Sequence, residues 1–176
     1  MLLLNVILIG MPGSGKSTVG VLLAKALLMD FVDTDLLLQK RNNKTLIEII
    51  ESLGIEGFKR IENETLKSLK FENTVVATGG SAVYGEEAML SLKINAVVVY
   101  LKLTPKEVKN RINNITTRGI VMQPGCTIDE LYLERAPLYE KYADFVVDCE
   151  GKTVEETVGA VVSVLNLMFG KQKRKA

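Results

Sequence analysis

The sequence predicts an α/β domain: a parallel sheet with helices on both faces. Three observations carry this. Short apolar runs alternate with segments of helical period along the chain. Four Thr-x-x-Glu boxes mark helix starts among them. The first apolar run leads into a glycine-rich turn, GMPGSGKST at residues 10–18, followed by a helical pattern. Strands that alternate with helices run parallel through crossovers, and such a sheet needs cover on both sides.

The chain has 176 residues, one domain's worth, read as a single domain over 1–170 with a basic tail over 171–176. Hydrophobic residues make up 47%, enough for a core. The formal net charge of +1 gives no broad basic field, so no nucleic-acid partner is expected. Histidine is absent, which excludes Ser-His-Asp and Cys-His catalysis. With only Cys126 and Cys149, the usual zinc sites are excluded too. Two separated cysteines suit a reducing compartment. The apolar start lacks a basic leader and a cleavage site, and it is shorter than the about 20 residues a bilayer span needs. The expectation is a cytoplasmic chain without a membrane partner.

Val6–Ile9 is a continuous apolar run, as suits a strand buried on both faces. Gly10, Gly15, Lys16 and Ser17 then satisfy G-x-x-x-x-G-K-[ST] between strand and helix. The glycines let backbone N–H groups close on phosphate oxygens, and the helix N-terminus favours the charge. Gly13, Ser14, Gly15, Lys16, Ser17 and Thr18 are therefore candidates to cradle a nucleoside triphosphate. Lys16 is expected at the β- and γ-phosphates, and the Ser17 hydroxyl on Mg²⁺. Val19, Leu22, Leu23, Ala26 and Leu27 recur at helical spacing after it.

Phe31–Val32 reads as a second strand, ending in FVDTD at residues 31–35. Strand C-termini face the ligand crevice in an open parallel sheet. Of Asp33 and Asp35, one can hold Mg²⁺ through water. The other can accept a hydrogen bond from the hydroxyl that attacks the γ-phosphate. A solvated Asp-rich turn is the alternative.

Thr45…Glu48 opens the next helix. In GFKRIENE, residues 57–64, Phe58 and Ile61 share a face, as do Leu66 and Leu69 beyond. Lys59 and Glu62 lie three apart on another, where the acid can orient the lysine. Val75–Ala77 reads as a strand that ends in ATGGS, where backbone approaches a ligand. Ala96–Leu101 is a fourth strand, followed by the Thr104…Glu107 box with Pro105 at the first helical position.

Residues 111–126, polar with glycine and proline, have the size of a lid, and Arg111 and Arg118 bracket the stretch's first half. Thr127…Glu130 opens a helix that carries ERAPLYEKYAD, with Arg135 ahead of Pro137. That proline is expected to bend or interrupt the helix. Phe145–Val147 is a fifth strand, and Thr153…Glu156 starts the last helix. There Glu156, Gly159, Ser163, Asn166 and Gly170 form one narrow polar stripe. Deep burial against the sheet is expected, with a dimer contact as the alternative.

A phosphate loop alone does not separate kinases from switches, motors or pumps. The chain is too short for a motor's or pump's second domain. The ordered set GMPGSGKST, FVDTD, GFKRIE, the ATGG step, the lid with Arg118, and RAPLYEKYAD resembles the shikimate kinase family over nearly the whole chain. The resemblance implies a three-layer P-loop NTPase fold of nucleoside-monophosphate-kinase type, with a five-stranded parallel sheet. It implies transfer of the γ-phosphoryl of ATP, with Mg²⁺, to the 3-hydroxyl of shikimate. Asp35 matches the family's substrate-hydroxyl aspartate, and Asp33 the acid near the metal, beside Ser17. Lys59 and Arg135 stand where two arginines clamp the substrate carboxylate, and Gly79 and Gly80 line the same pocket. Lys16 and Arg118 match the groups that reach the transferring phosphates, and Arg111 the arginine that packs on adenine. The substrate-binding helices fall at about 34–70 and the lid at about 112–126. A monomer is expected, with a weak dimer as the alternative.

Three positions depart from the family pattern: Lys59 for an arginine, Ser81 for the third glycine of a GGG step, and Gly119 for the proline after the lid arginine. Gly119 is expected to loosen the lid. A kinase of another hydroxylated acid, such as gluconate, and a non-catalytic nucleotide-binding module are the competing readings.

Overall fold

A computed structural model describes residues 4–112 and 119–173, the side chains of 169–173 excepted. Arg118 thus lies outside the described residues, as do 174–176 of the tail.

Five strands form one parallel sheet: β1 (Asn5–Ile9), β2 (Asp30–Asp33), β3 (Thr74–Ala77), β4 (Ala96–Lys102) and β5 (Phe145–Asp148), in the order β2-β3-β1-β4-β5. The order reverses at β1, which lies between β3 and β4. Every residue of β1 and β3 is buried, which requires layers on both faces of the sheet. In register, Asp33 lies opposite Ala77, and Ala77 opposite Leu8. The loops after β1, β2 and β3 therefore leave the sheet side by side at its C-terminal rim, where an open α/β sheet binds ligands.

Helix α1 (Lys16–Leu27) follows β1. Its buried face is Lys16, Val19, Gly20, Leu23 and Ala24. Leu22 and Ala26, expected on that face, point outward. Gly20 decides the rotation: a Cβ there would sit 2.5 Å from the Phe31 ring and 3.5 Å from Leu8, so α1 turns its hydrogen-only position to the sheet.

Helix α2 (Thr34–Asn42) leads to α3 (Leu46–Ser68), whose two helical segments meet at Gly54 with φ 69°. A short 3₁₀ turn (Ala82–Tyr84) precedes α4 (Glu86–Lys93), then come α5 (Pro105–Arg111), α6 (Ile128–Tyr142) and α7 (Val154–Lys173). The boxes at Thr45, Thr127 and Thr153 form in both directions. At Thr104 only half the box forms, because Glu107 turns to Arg111 instead.

Three expectations are corrected. Helix α6 runs through Pro137 without interruption. The carbonyl of Leu133, deprived of its i+4 donor, belongs to a residue that is 73% exposed, so the unpaired group is not sealed from solvent. Helix α7 is not deeply buried: Thr157, Val161 and Leu165 face inward, against α1 more than the sheet, while Leu167 is 65% exposed. It also continues to Lys173, so the boundary placed at 170 falls inside it.

Two apolar clusters result. The large one spans the sheet, α1, α4, α6 and α7. The small one joins Leu38 of α2, Ile49 and Phe58 of α3, and Val121 from the segment after residue 118. It ties that segment to the two helices that carry Asp35 and Lys59.

Candidate active site

At the rim where the strand order reverses lies a cavity of about 470 Å³. Gly13, Gly15, Lys16, Ser17 and Thr18 line one part of it, and Asp33 and Asp35 another. Gly79, Gly80, Ser81 and Arg135 line a third. Thr45, Leu46, Ile47 and the segment Gly119–Val121 add a more apolar wall.

The loop after β1 is built for an anion. Gly15 takes φ 87° as the cap of α1 and provides no side-chain bond to its first turn. The first-turn amides of Ser17 and Thr18 are thus left to a ligand, with the helix dipole behind them. The Lys16 ammonium donates to the carbonyls of Gly10 at 2.8 Å and Met11 at 3.0 Å. Ser14 is buried behind the loop rather than on the cavity wall, and its N–H donates to Met11 O. Arg111 does not line the cavity either. It pairs with Glu107 at 2.9 Å, its Cβ close to where a Cβ on Gly13 would stand.

The two aspartates divide their work. Asp33 caps α2, one carboxylate oxygen accepting from the N–H groups of Asp35 and Leu36. Its second oxygen and the Ser17 hydroxyl are hard oxygen donors on one cavity. That donor set fits Mg²⁺, which keeps several waters and takes few protein ligands. Among the described residues no group of three or more potential metal ligands exists. Asp35 begins the next turn, partly exposed as a residue but with its carboxylate deep in the cleft. Burial, then the charge of Asp33, pushes its pKa up to about 6 against the pull of Lys16.

Gly79 and Gly80 let two side chains approach the same backbone. A Cβ on Gly79 would lie 2.6 Å from Asp35 Oδ1, and one on Gly80 3.1 Å from Arg135 Nη1. Asp35 and Arg135 thus face adjacent residues, within reach of one small molecule. Thr34 fixes this step: its buried hydroxyl accepts from the Gly79 N–H at 3.1 Å.

Arg135 is 1% exposed. Its Nε donates to the Tyr84 hydroxyl at 3.1 Å, and its Nη2 to the carbonyl of Val121. The Tyr84 hydroxyl donates to Glu134, and Tyr139 donates to Gly80 O. Among the described residues no carboxylate forms an ion pair with Arg135. A buried guanidinium held by neutral groups, with N–H groups on the cavity, is a seat for an acid from solution.

Lys59 shares the Tyr84 ring with Arg135, whose guanidinium lies 5.1 Å from the ring centre, but it does not line the cavity. Its ammonium pairs with Glu56 at 2.9 Å and lies 4.4 Å from the centre of the Tyr84 ring, outside the cavity lining. Among the described residues Glu62 makes no ion pair with Lys59; it is buried, with Ser81 donating to it at 2.7 Å. The i,i+3 spacing put the two within reach, and the pull of Ser81 and the depth of the site decided otherwise. Gly119 is closely packed. It takes φ 59°, and a Cβ would lie 2.7 Å from Leu46 Cβ and 3.0 Å from the Ile47 nitrogen, so it packs on the start of α3. A proline, fixed near −65°, cannot take that conformation.

Sequence reasoning missed Thr34, Tyr84, the Val121 carbonyl and the Leu46–Ile47 wall. The threonine and tyrosine stood inside or near quoted motifs. The other two act through backbone or as apolar surface and leave no motif.

A family model described as shikimate kinase matches residues 12–166. A shikimate kinase of Caldanaerobacter subterraneus subsp. tengcongensis is 35% identical over 170 residues, 95% of this chain and 99% of the relative. The solved shikimate kinase of Acinetobacter baumannii, in complex with shikimate, superposes with TM-score 0.86 at 28% identity, over 96% of this chain and 94% of that one. A gluconokinase of Sinorhizobium meliloti shares the fold at TM-score 0.59 and 16% identity, over 99% of this chain and 98% of that one.

Proposed function

The chain belongs to the shikimate kinase family, and from that premise we propose that it transfers the γ-phosphoryl group of ATP to the 3-hydroxyl of shikimate. One observation carries the reading. Asp35 and Arg135 face adjacent glycines in the cavity that the phosphate loop also lines.

Phosphoryl transfer asks for positioning and charge stabilisation more than covalent help. The loop amides and Lys16 hold the triphosphate. Arg135 grips the substrate carboxylate, and Asp35 accepts the hydrogen bond of the attacking hydroxyl. Ser17 and the second oxygen of Asp33 would hold Mg²⁺, which would supply charge neutralisation at the phosphates. Arg118 and Arg111 keep the roles the resemblance assigns, at the phosphates and the adenine. The described lining of the cavity comes from one chain, which supports a monomer. The two free cysteines suit a reducing cytoplasm. Among the described residues no helix is long and apolar enough to cross a membrane.

An ADP-release assay over shikimate, gluconate and quinate tests the reading. Turnover strongest on shikimate is expected, and preference for gluconate or no turnover on any acid would sink it.

Two further outcomes are expected. With ATP saturating, kcat/KM for shikimate falls tenfold per pH unit below about 6, as Asp35 takes a proton and loses its acceptor. A profile flat to pH 5 removes Asp35 as the acceptor. Lys59→Ala raises KM for shikimate less than about threefold, because Lys59 acts through an exposed pair and a ring face outside the cavity. A rise above tenfold shows that Lys59 swings in to grip the acid.

A further inference from the structure

Glu62 is a buried acid that the phosphoryl-transfer mechanism leaves without a task. It is 2% exposed on α3. Its Oε2 accepts from the Ser81 hydroxyl at 2.7 Å, and its Oε1 has no hydrogen-bond partner among the described residues. A Cβ on Gly79 would lie 2.6 Å from Glu62 Oε1 and 2.6 Å from Asp35 Oδ1. The two oxygens therefore stand no more than twice that distance apart, across a single glycine. The Arg135 guanidinium stands on the next residue, Gly80.

We propose that Glu62 is a positioning residue whose charge state gates the acid seat: with its proton on, the Arg135 charge is left for an incoming carboxylate, and with it off, a buried anion opposes that carboxylate.

The groups facing Glu62 are Ser81 from the strand-end step, Asp35 from α2, Arg135 and Tyr139 from α6, and Lys59 from its own helix. Burial raises the Glu62 carboxyl most, to about 8. The Ser81 hydrogen bond pulls it down, the charge of Asp35 pushes it up, and Arg135 and Lys59 pull it down from further off. Glu62 thus carries its proton at neutral pH and loses it as pH rises through 8, so affinity for an anionic substrate falls with rising pH. Ser81 tunes the point. Its hydroxyl donates to the carboxyl and favours the ionised form, which glycine at this position cannot do.

The inference rests on the shikimate reading, and the test separates the two. KM for shikimate and for ATP are measured with the full chain between pH 6.5 and 9. If bound acid raises the Glu62 pKa by one unit, linkage makes KM for shikimate rise about fivefold from pH 7 to 9. KM for ATP stays level. Glu62→Gln, locked neutral, brings the ratio below twofold, and Ser81→Gly moves the rise to higher pH. A wild-type ratio below twofold, or a rise that persists in Glu62→Gln, overturns the proposal. A second readout needs neither substrate nor a folded Glu62 variant: an NMR titration of ¹³C-labelled glutamate carboxyls. A buried carboxyl with midpoint near 8 that moves up in Ser81→Gly is expected, and its midpoint falling below 6 overturns the proposal. Absence of turnover on shikimate, with that midpoint near 8, defeats the substrate reading alone.

Discussion

Asp35→Asn is expected to lower kcat at least a hundredfold while ATP affinity changes less than about twofold. The substitution keeps size and backbone, and Asp33 still caps α2 through the amide at position 35. What disappears is an anionic acceptor at the Gly79 step, in the deepest part of the cleft. A positioned base of this kind contributes about 10²–10⁴-fold. The triphosphate is held elsewhere, by the loop after β1 and by Lys16, so its binding has no reason to change. Single-turnover kinetics with a nucleotide titration separates the two quantities. A kcat within fivefold of wild type would remove Asp35 from the chemistry. Equal losses in kcat and nucleotide affinity would mean a collapsed cleft instead.

Arg135→Lys is expected to raise KM for shikimate about tenfold to hundredfold, with KM for ATP unchanged. Lysine keeps the charge but not the fork that can take a carboxylate with two parallel bonds. Loss of one charge-assisted bond costs about 1.5–3 kcal/mol. The variant also gives up the Nε bond to Tyr84 and the Nη2 bond to the Val121 carbonyl. Val121 is buried, so its unpaired carbonyl costs about 1–3 kcal/mol of stability. A melting temperature lower by several degrees should accompany the kinetic change. Measurements well below that melting temperature keep the two effects apart. Unchanged KM for shikimate in the folded variant would show that the acid seat lies elsewhere.

Arg135 and Lys59 illustrate what spacing can and cannot say. Both are cations in motifs of matching order, and as residues of a string they are equivalent halves of a clamp. In the fold Arg135 projects from the middle of α6 into the interior, where Tyr84, Tyr139 and the Val121 carbonyl fix its plane. Lys59 lies nearer the outside of α3, with Glu56 one turn before it and the Tyr84 ring beneath. Glu62 teaches the same lesson. Its distance along the helix from Lys59 suggests a surface pair, yet Ser81 and Gly79 arrive from another strand end and claim it. Gly119 read as slack because glycine is permissive, and became a contact point because permissiveness also allows close approach.

The sequence by itself determined the five strands, their parallel sense, the helix starts at Thr45, Thr127 and Thr153, and the phosphate loop. Each of these rests on interactions between near neighbours or on a strict apolar period, so the string contains the cause. Only the tertiary structure decided which acids and cations meet, that α7 leans on α1 and stays half open, that α6 survives its proline, and that Glu62 is sealed beside Asp35. Those outcomes depend on burial and on partners 19 to 70 residues distant. Desolvation grows with everything packed around a group, and no local stretch of residues contains that sum.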